Sequence, residues 1–151
     1  MVMKENSRTK RRYWVEKTSA INALPGDIFK VLMDFGRWNQ WTVSIKEMSI
    51  LNNDQPGIGA RVKILQPKLP PAIWTITESL PDRSLTWEKR SFGLFMRSEH
   101  LLVTGNNGTS VTIRMTYKGP LAGLFYMLTR SLTDRYMTME INGLKRECEK
   151  G

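Results

Sequence analysis

PLAGLFYMLTRSLTDRYMTMEINGLKRECEKG, residues 120–151, decides the architecture of this chain. Apolar side chains recur at Leu121, Phe125, Leu128 and Leu132, and again at Met137, Ile141, Leu144 and Cys148. Steps of three and four are the period of a helix and not of a strand. On a wheel turning about 100° per residue the two sets fall on nearly opposite faces. One straight helix cannot bury both sets against one surface, so the spacing predicts a kink or break near Arg130 to Asp134, with the second half packed on a sheet.

Upstream of that helix the chain reads as strands and two short helices, and such strands need a cover. Tyr13 to Asn22 alternates loosely in β-branched and aromatic types. Leu24-Pro25-Gly26-Asp27 opens a helix, with proline in its first turn and an acid at the positive end of its dipole. Ile28, Val31, Leu32 and Phe35 form its buried stripe, and Gly36 stops it. Arg37 to Trp41 is a second short helical turn whose two indoles, three residues apart, share a side. Six further strands follow: Val43 to Leu51, Gly59 to Gln66, Ala72 to Leu80, Ser84 to Arg90, Leu94 to Val103 and Thr109 to Lys118. Turn residues separate them at Asn52 to Gly57, at Pro67, Pro70 and Pro71, at Pro81-Asp82-Arg83 and at Gly105 to Gly108. Short connections mean an antiparallel meander. The expectation is one α+β domain over residues 13–151, a curved seven-stranded sheet wrapped around a C-terminal helix.

A period of two sorts each strand into faces. Trp74, Ile76, Glu78 and Leu80 share the inward face of the fourth strand, and Leu85 and Trp87 that of the fifth. Met96, Ser98, His100 and Leu102 take it in the sixth, and Val111, Ile113, Met115 and Tyr117 in the seventh. The inner surface is aromatic and rich in methionine, with few polar interruptions.

At 151 residues and 40% hydrophobic content the chain has room for one real core. No apolar run approaches the roughly eighteen residues of a membrane span, and the charged start MVMKENSRTKRRYW has no apolar stretch behind it. Neither anchor nor signal peptide is expected, which points to the cytoplasm. Cys148, the single cysteine, has no partner for an internal disulfide or a metal site and reads as a small apolar contact. The formal charge is +9, from 23 Lys and Arg against 14 Asp and Glu. Residues 1–12 supply +4 of it through Lys4, Arg8, Lys10, Arg11 and Arg12 against Glu5, and the remainder supplies +5. Such an arm reads as a solvated tail able to touch an anionic membrane weakly. Nucleic acid is not the expected partner, since the tryptophans lie in apolar patterns and no nucleic-acid motif is present.

INALPGDIFKVLMDFGRWNQW, residues 21–41, resembles the opening of START-like proteins of the SRPBCC superfamily, where an I-x-A-P-x-x-V-F/W…D…W-x-x-W pattern spans the first strand and helices. PGIGARVKI at 56–64, IWTITESLPDRSLTWE at 73–88 and EHLLVTGNNGTSVTIRMTY at 99–117 are similar to that superfamily's G-x-x-x-R, V-x-E-x-x-P-x-x-L-x-W and G-T-x-V-T elements. The likeness is greatest to its polyketide cyclase/dehydrase and lipid-transport group, and it covers nearly everything after residue 12. One departure stands out: Ala23-Leu24-Pro25 occupies the place of Ala-Pro, a shift of one residue at the helix start. The resemblance implies the helix-grip fold and an elongated cavity between the sheet and the last helix, used for lipids, sterols or aromatic polyketides. It implies no cofactor, and a minority of members are enzymes.

His100 is the only histidine, so imidazole chemistry rests on it. Regular flanking hairpins place it opposite Leu85 and Ile113. It reads either as a polar or proton-transfer group in a cavity or as a core histidine satisfied by backbone. Glu78 is the second proton-transfer candidate, facing Trp87 if the turn before Ser84 is regular, whereas a bulge turns it outward. Trp38, Trp41, Trp74, Ile76, Trp87, Met96, Ile113, Met115 and Tyr117 form the expected ligand wall, with Phe125 and Leu128 at its entrance; the plainer reading is ordinary core. LAGLFYML, residues 121–128, reads equally as a gate or as an interfacial membrane segment. No metal cluster, phosphate loop or nucleophile elbow is present in the sequence. Two functions fit first, a carrier of a hydrophobic small molecule or lipid and a cyclase or dehydratase using His100 or Glu78; a basic module docking on membrane or nucleic acid through its tail ranks behind both.

Overall fold

A computed structural model describes residues 13–150. The basic arm at 1–12 lies outside the described residues. β1 (Tyr13–Ile21) leads into α1 (Pro25–Met33), a 3-10 turn (Phe35–Arg37) and α2 (Trp38–Trp41). The meander follows as β2 (Glu47–Ile50), β3 (Arg61–Leu65), β4 (Ala72–Leu80), β5 (Ser84–Ser91), β6 (Leu94–Gly105) and β7 (Gly108–Lys118), and α3 (Ala122–Cys148) closes the chain. The seven strands form one antiparallel sheet in the order β1-β7-β6-β5-β4-β3-β2, so the first strand pairs with the last. With α3 laid along β1 and β7 and α1 and α2 near its C-terminal half, this is the helix-grip arrangement.

Local chemistry sets the element ends. Pro25 opens α1, where its missing N–H costs nothing, and Asp27 sits in the first turn. Met33, not Gly36, is the last residue of α1, and Phe35 to Arg37 tightens into the 3-10 turn. β2 is shorter than its alternating pattern suggested, because Thr42 and Ser44 bond to each other through their hydroxyls at 2.6 Å and hold that segment off the ladder. Between β6 and β7 only Asn106 and Asn107 turn the chain, and Gly108 follows at φ +121°, where a side chain would strike the Ile21 carbonyl oxygen.

α3 departs from the expected kink. It runs as one unbroken helix of 27 residues. Ala122, Tyr126, Thr129, Thr133, Tyr136, Met137, Glu140 and Leu144 recur at three and four along its length and fall on a single face. The conflict between the two apolar stripes is resolved by burying the second fully and the first only in part, through Phe125 and Leu132. Met137, Ile141 and Leu144 enter the core, each side chain worth about 1.5–3 kcal/mol. Leu121, Leu124 and Leu128 stay exposed.

A second departure lies in β4. Ile76 pairs with Trp87 and Glu78 with Thr86, so two residues of β4 advance against one of β5, a β-bulge. Past it the faces exchange: Ser79, opposite Leu85, reaches in toward the Met33 sulfur, while Glu78 and Leu80 turn to the outer face. The inward placing of Glu78 and Leu80 is thereby overturned. Leu80 is exposed.

Candidate functional site

The chemistry of the interior converges on His100. β6 carries it on the inner face, opposite Leu85 and Ile113. Only 1% of it is exposed. Its Nε2 lies 2.6 Å from Oε1 of Glu140, which reaches down from α3 and is itself mostly buried. The rings of Trp38 and Trp87 stand edge-on to the imidazole, with centroids at 5.6 and 5.3 Å. An ionised carboxylate accepts hydrogen bonds and cannot donate them, so the pairing puts a proton on Nε2, and in the neutral ring Nδ1 then carries the lone pair. Among the described residues that Nδ1 has no hydrogen-bond partner, although it is buried.

Around this pair the aromatic residues touch one another. Trp38 packs on Trp41 at 4.7 Å and on Trp87 at 5.5 Å, and Phe35 reaches Trp87 at 6.0 Å between ring centroids. Trp38 is itself satisfied, its Nε1 donating to the Leu32 carbonyl at 2.9 Å. Trp74, Ile76, Trp87, Met96 and Ile113 are buried as well. The space assigned from sequence to a guest is therefore occupied, next to His100, by the protein's own rings.

Toward the start of α3 the interior changes character. Met115 is half-buried there, and Tyr117 is 1% exposed. The Tyr117 hydroxyl donates to Thr133 Oγ1 at 3.1 Å, and its ring lies 5.7 Å from Phe125 and 6.0 Å from Tyr126. Burial raises the Tyr117 phenol above its ordinary range, and hydrogen bonds with Thr133 and Thr129 oppose the rise. A hollow of about 480 Å³ opens beside this region between β1 and α3, reached by Val15, Tyr126, Arg130 and Asp134. Another of about 360 Å³ lies on the outer face of the sheet among Trp14, Glu16, Arg97, Glu99 and Arg114, away from the predicted wall.

Of the residues singled out from sequence, the inner-face set from Trp38 to Tyr117 comes together around His100 and along β7, with Phe125 half-buried at its end. Leu128 does not join it; at 75% exposure it stands on the solvent side of α3. Glu78 does not join it either. On the outer face it accepts from the Thr86 hydroxyl at 3.4 Å, with the sheet between it and His100. Glu140 is the residue that sequence reasoning missed. Its one signal was an acid placed on the same helical face as Met137 and Leu144, a position where an unpaired carboxylate would be costly.

Fold and site together define a START-like helix-grip protein with an imidazole–carboxylate pair inside it. The chain belongs to the polyketide cyclase / dehydrase and lipid transport family, whose model matches residues 14–149. Among solved structures it is similar to the ZhuI aromatase/cyclase from Streptomyces sp. R1128, with TM-score 0.71 and 17% identity over 92% of this chain and 94% of that one. A START superfamily protein from Mycobacterium smegmatis matches at TM-score 0.68 and 16% identity, covering 89% of this chain and 98% of that one. The di-domain aromatase/cyclase StfQ of the steffimycin pathway matches at TM-score 0.74 and 11% identity over 95% of this chain. The chain spans about half, 52%, of that di-domain protein. No curated protein matches by sequence. Among the described residues no helix is long and apolar enough to cross a membrane.

Proposed function

We propose that this protein binds a hydrophobic small molecule bearing a hydroxyl group between the sheet and α3, with His100 Nδ1 as its polar anchor. The observation that carries the reading is the buried, unpartnered Nδ1, an acceptor in the neutral ring that donates Nε2–H to Glu140 on its other side. A buried acceptor without a donor costs about 1–3 kcal/mol, which a guest hydroxyl recovers. Membership of a family described by lipid transport and cyclase chemistry supports the apolar part of the guest. The rings packed around His100 must part to admit it. The first half of α3 is the element suited to move, because its outer leucines bury little.

Quenching of tryptophan fluorescence by 2-naphthol and by 2-methoxynaphthalene tests this directly, since the two differ mainly in the donor. The naphthol should bind about tenfold tighter or more, and His100→Leu should erase the difference. Equal affinities, or no saturable quenching by either probe, sink the proposal. His100→Phe, a ring of similar shape without nitrogens, supplies a second variant should His100→Leu not fold.

A cyclase or dehydratase is the second reading, favoured by the His100–Glu140 pair. The imidazole would take a proton from a carbon flanked by carbonyls, the carbanion would close on a ketone of the same chain, and the imidazolium would protonate the new alkoxide; removal of a second proton from the same carbon and its delivery to the hydroxyl would then expel water. Turnover of a poly-β-ketone thioester that survives in His100→Ala would remove that role.

A further inference from the structure

The interior does not account for the leucines that α3 leaves outside. Leu121, Leu124, Met127 and Leu128 are 43%, 56%, 70% and 75% exposed, and Phe92, at the tip of the β5–β6 hairpin, is 95% exposed. Hairpin and helix start are joined: the Leu121 N–H donates to the Gly93 carbonyl at 2.9 Å, and the Leu121 side chain lies where a Gly93 side chain would project, 2.9 Å away. Phe92 and the helical ridge thus sit at one corner of the molecule. Scattered exposed apolar residues need no explanation, but a joined set at one corner does.

Charge at that corner decides what covers it. No Asp or Glu occurs in residues 89–98 or 118–133, which carry Lys89, Arg90, Lys118 and Arg130, besides Arg97, whose charge is paired with Glu88 and Glu99. Arg90 and Lys118 bracket the Phe95 ring at 4.7 and 6.0 Å, so both cations stand at the base of the same hairpin. A second copy docked ridge to ridge would bring these cations toward their own duplicates. An anionic lipid surface accepts the ridge in its acyl boundary and the cations at its headgroups. We infer that the β5–β6 hairpin and the first half of α3 dock this protein on anionic membranes. The inference stands apart from the reading of His100, since it uses none of the inner-face residues.

The test is sedimentation of the full chain with vesicles of phosphatidylcholine alone and of phosphatidylcholine mixed with phosphatidylglycerol, over a salt series. The protein should pellet with the mixed vesicles and not with the neutral ones, and added salt should weaken binding. Leu124→Glu with Leu128→Glu should weaken it about tenfold or more, with the thermal melt unchanged because both side chains are exposed. Leu124→Ser with Leu128→Ser serves if the acidic pair alters the melt. Arg90→Gln with Lys118→Gln should flatten the salt dependence. Failure to bind mixed vesicles overturns the inference. Undiminished binding by the leucine variants also overturns it, because contact would then run through other cations such as those of residues 1–12. So does a dimer that the same variants dissolve in a protein that ignores vesicles.

Discussion

His100 and Glu140 meet across the interface between sheet and helix, Nε2 to Oε1 at 2.6 Å, from places 40 residues apart in the chain. Each is the other's means of being buried. Replacing Glu140 with leucine leaves the Nε2 donor without an acceptor and should cost about 1–3 kcal/mol in urea unfolding. Glu140→Gln keeps an acceptor and should lose clearly less. Equal losses would mean that packing, and not the hydrogen bond, holds the pair.

Glu78 stands on the far side of the sheet from that pair, so its carboxylate has no path to a guest. Glu78→Gln should leave naphthol affinity unchanged and shift stability by no more than about 0.5 kcal/mol, as ordinary surface changes do. A changed affinity, read by the same fluorescence titration, would show that the bulge opens in solution.

Gly143 brings α3 against α2. A Cβ there would collide with the Trp41 carbonyl oxygen, which is backbone and cannot swing aside. Gly143→Ala should therefore destabilise by about 1–3 kcal/mol or more and lower the melting temperature. Gly36 is the control. A Cβ at that position meets nothing within 4 Å, so Gly36→Ala should melt close to the parent.

Burial first, and then the charges of Glu147, Asp27 and Glu149, push the Cys148 thiol up to about 11. Only the thiolate is nucleophilic, so iodoacetamide should label the folded protein more slowly than a free cysteine at pH 8, with the rate still climbing beyond pH 10. The same shift carries a sign for stability. The unfolded thiol ionises first, so the contribution is whole below the ordinary thiol range, about 8.5, and is lost as pH rises toward 11. Cys148→Ala should flatten the fall in unfolding free energy across that window.

The strands were legible because their information is local. Alternation, proline and glycine place Ala72–Leu80 and the β6–β7 turn without reference to anything distant, and Pro25 marks the start of α1 where the chain alone says it should. The bulge at Thr77 and Glu78 was not legible. One extra residue leaves the period of two intact on either side and shows only in the pairing with β5. The unbroken α3 was missed for a related reason: a wheel ranks faces by hydrophobicity, whereas the face that packs includes Thr133 and Glu140, whose polar atoms find partners on the sheet.

What the amino-acid order determined by itself was the element list, the antiparallel order that short turns enforce, and the family to which such an order belongs. Tertiary structure alone decided which stripe of α3 is buried, on which side of the sheet each polar group lies, and that His100 has a carboxylate for company. Backbone preference and solvent aversion act over a few residues and leave their mark in the string. Pairing of buried polar groups acts through space, between residues that the string keeps far apart.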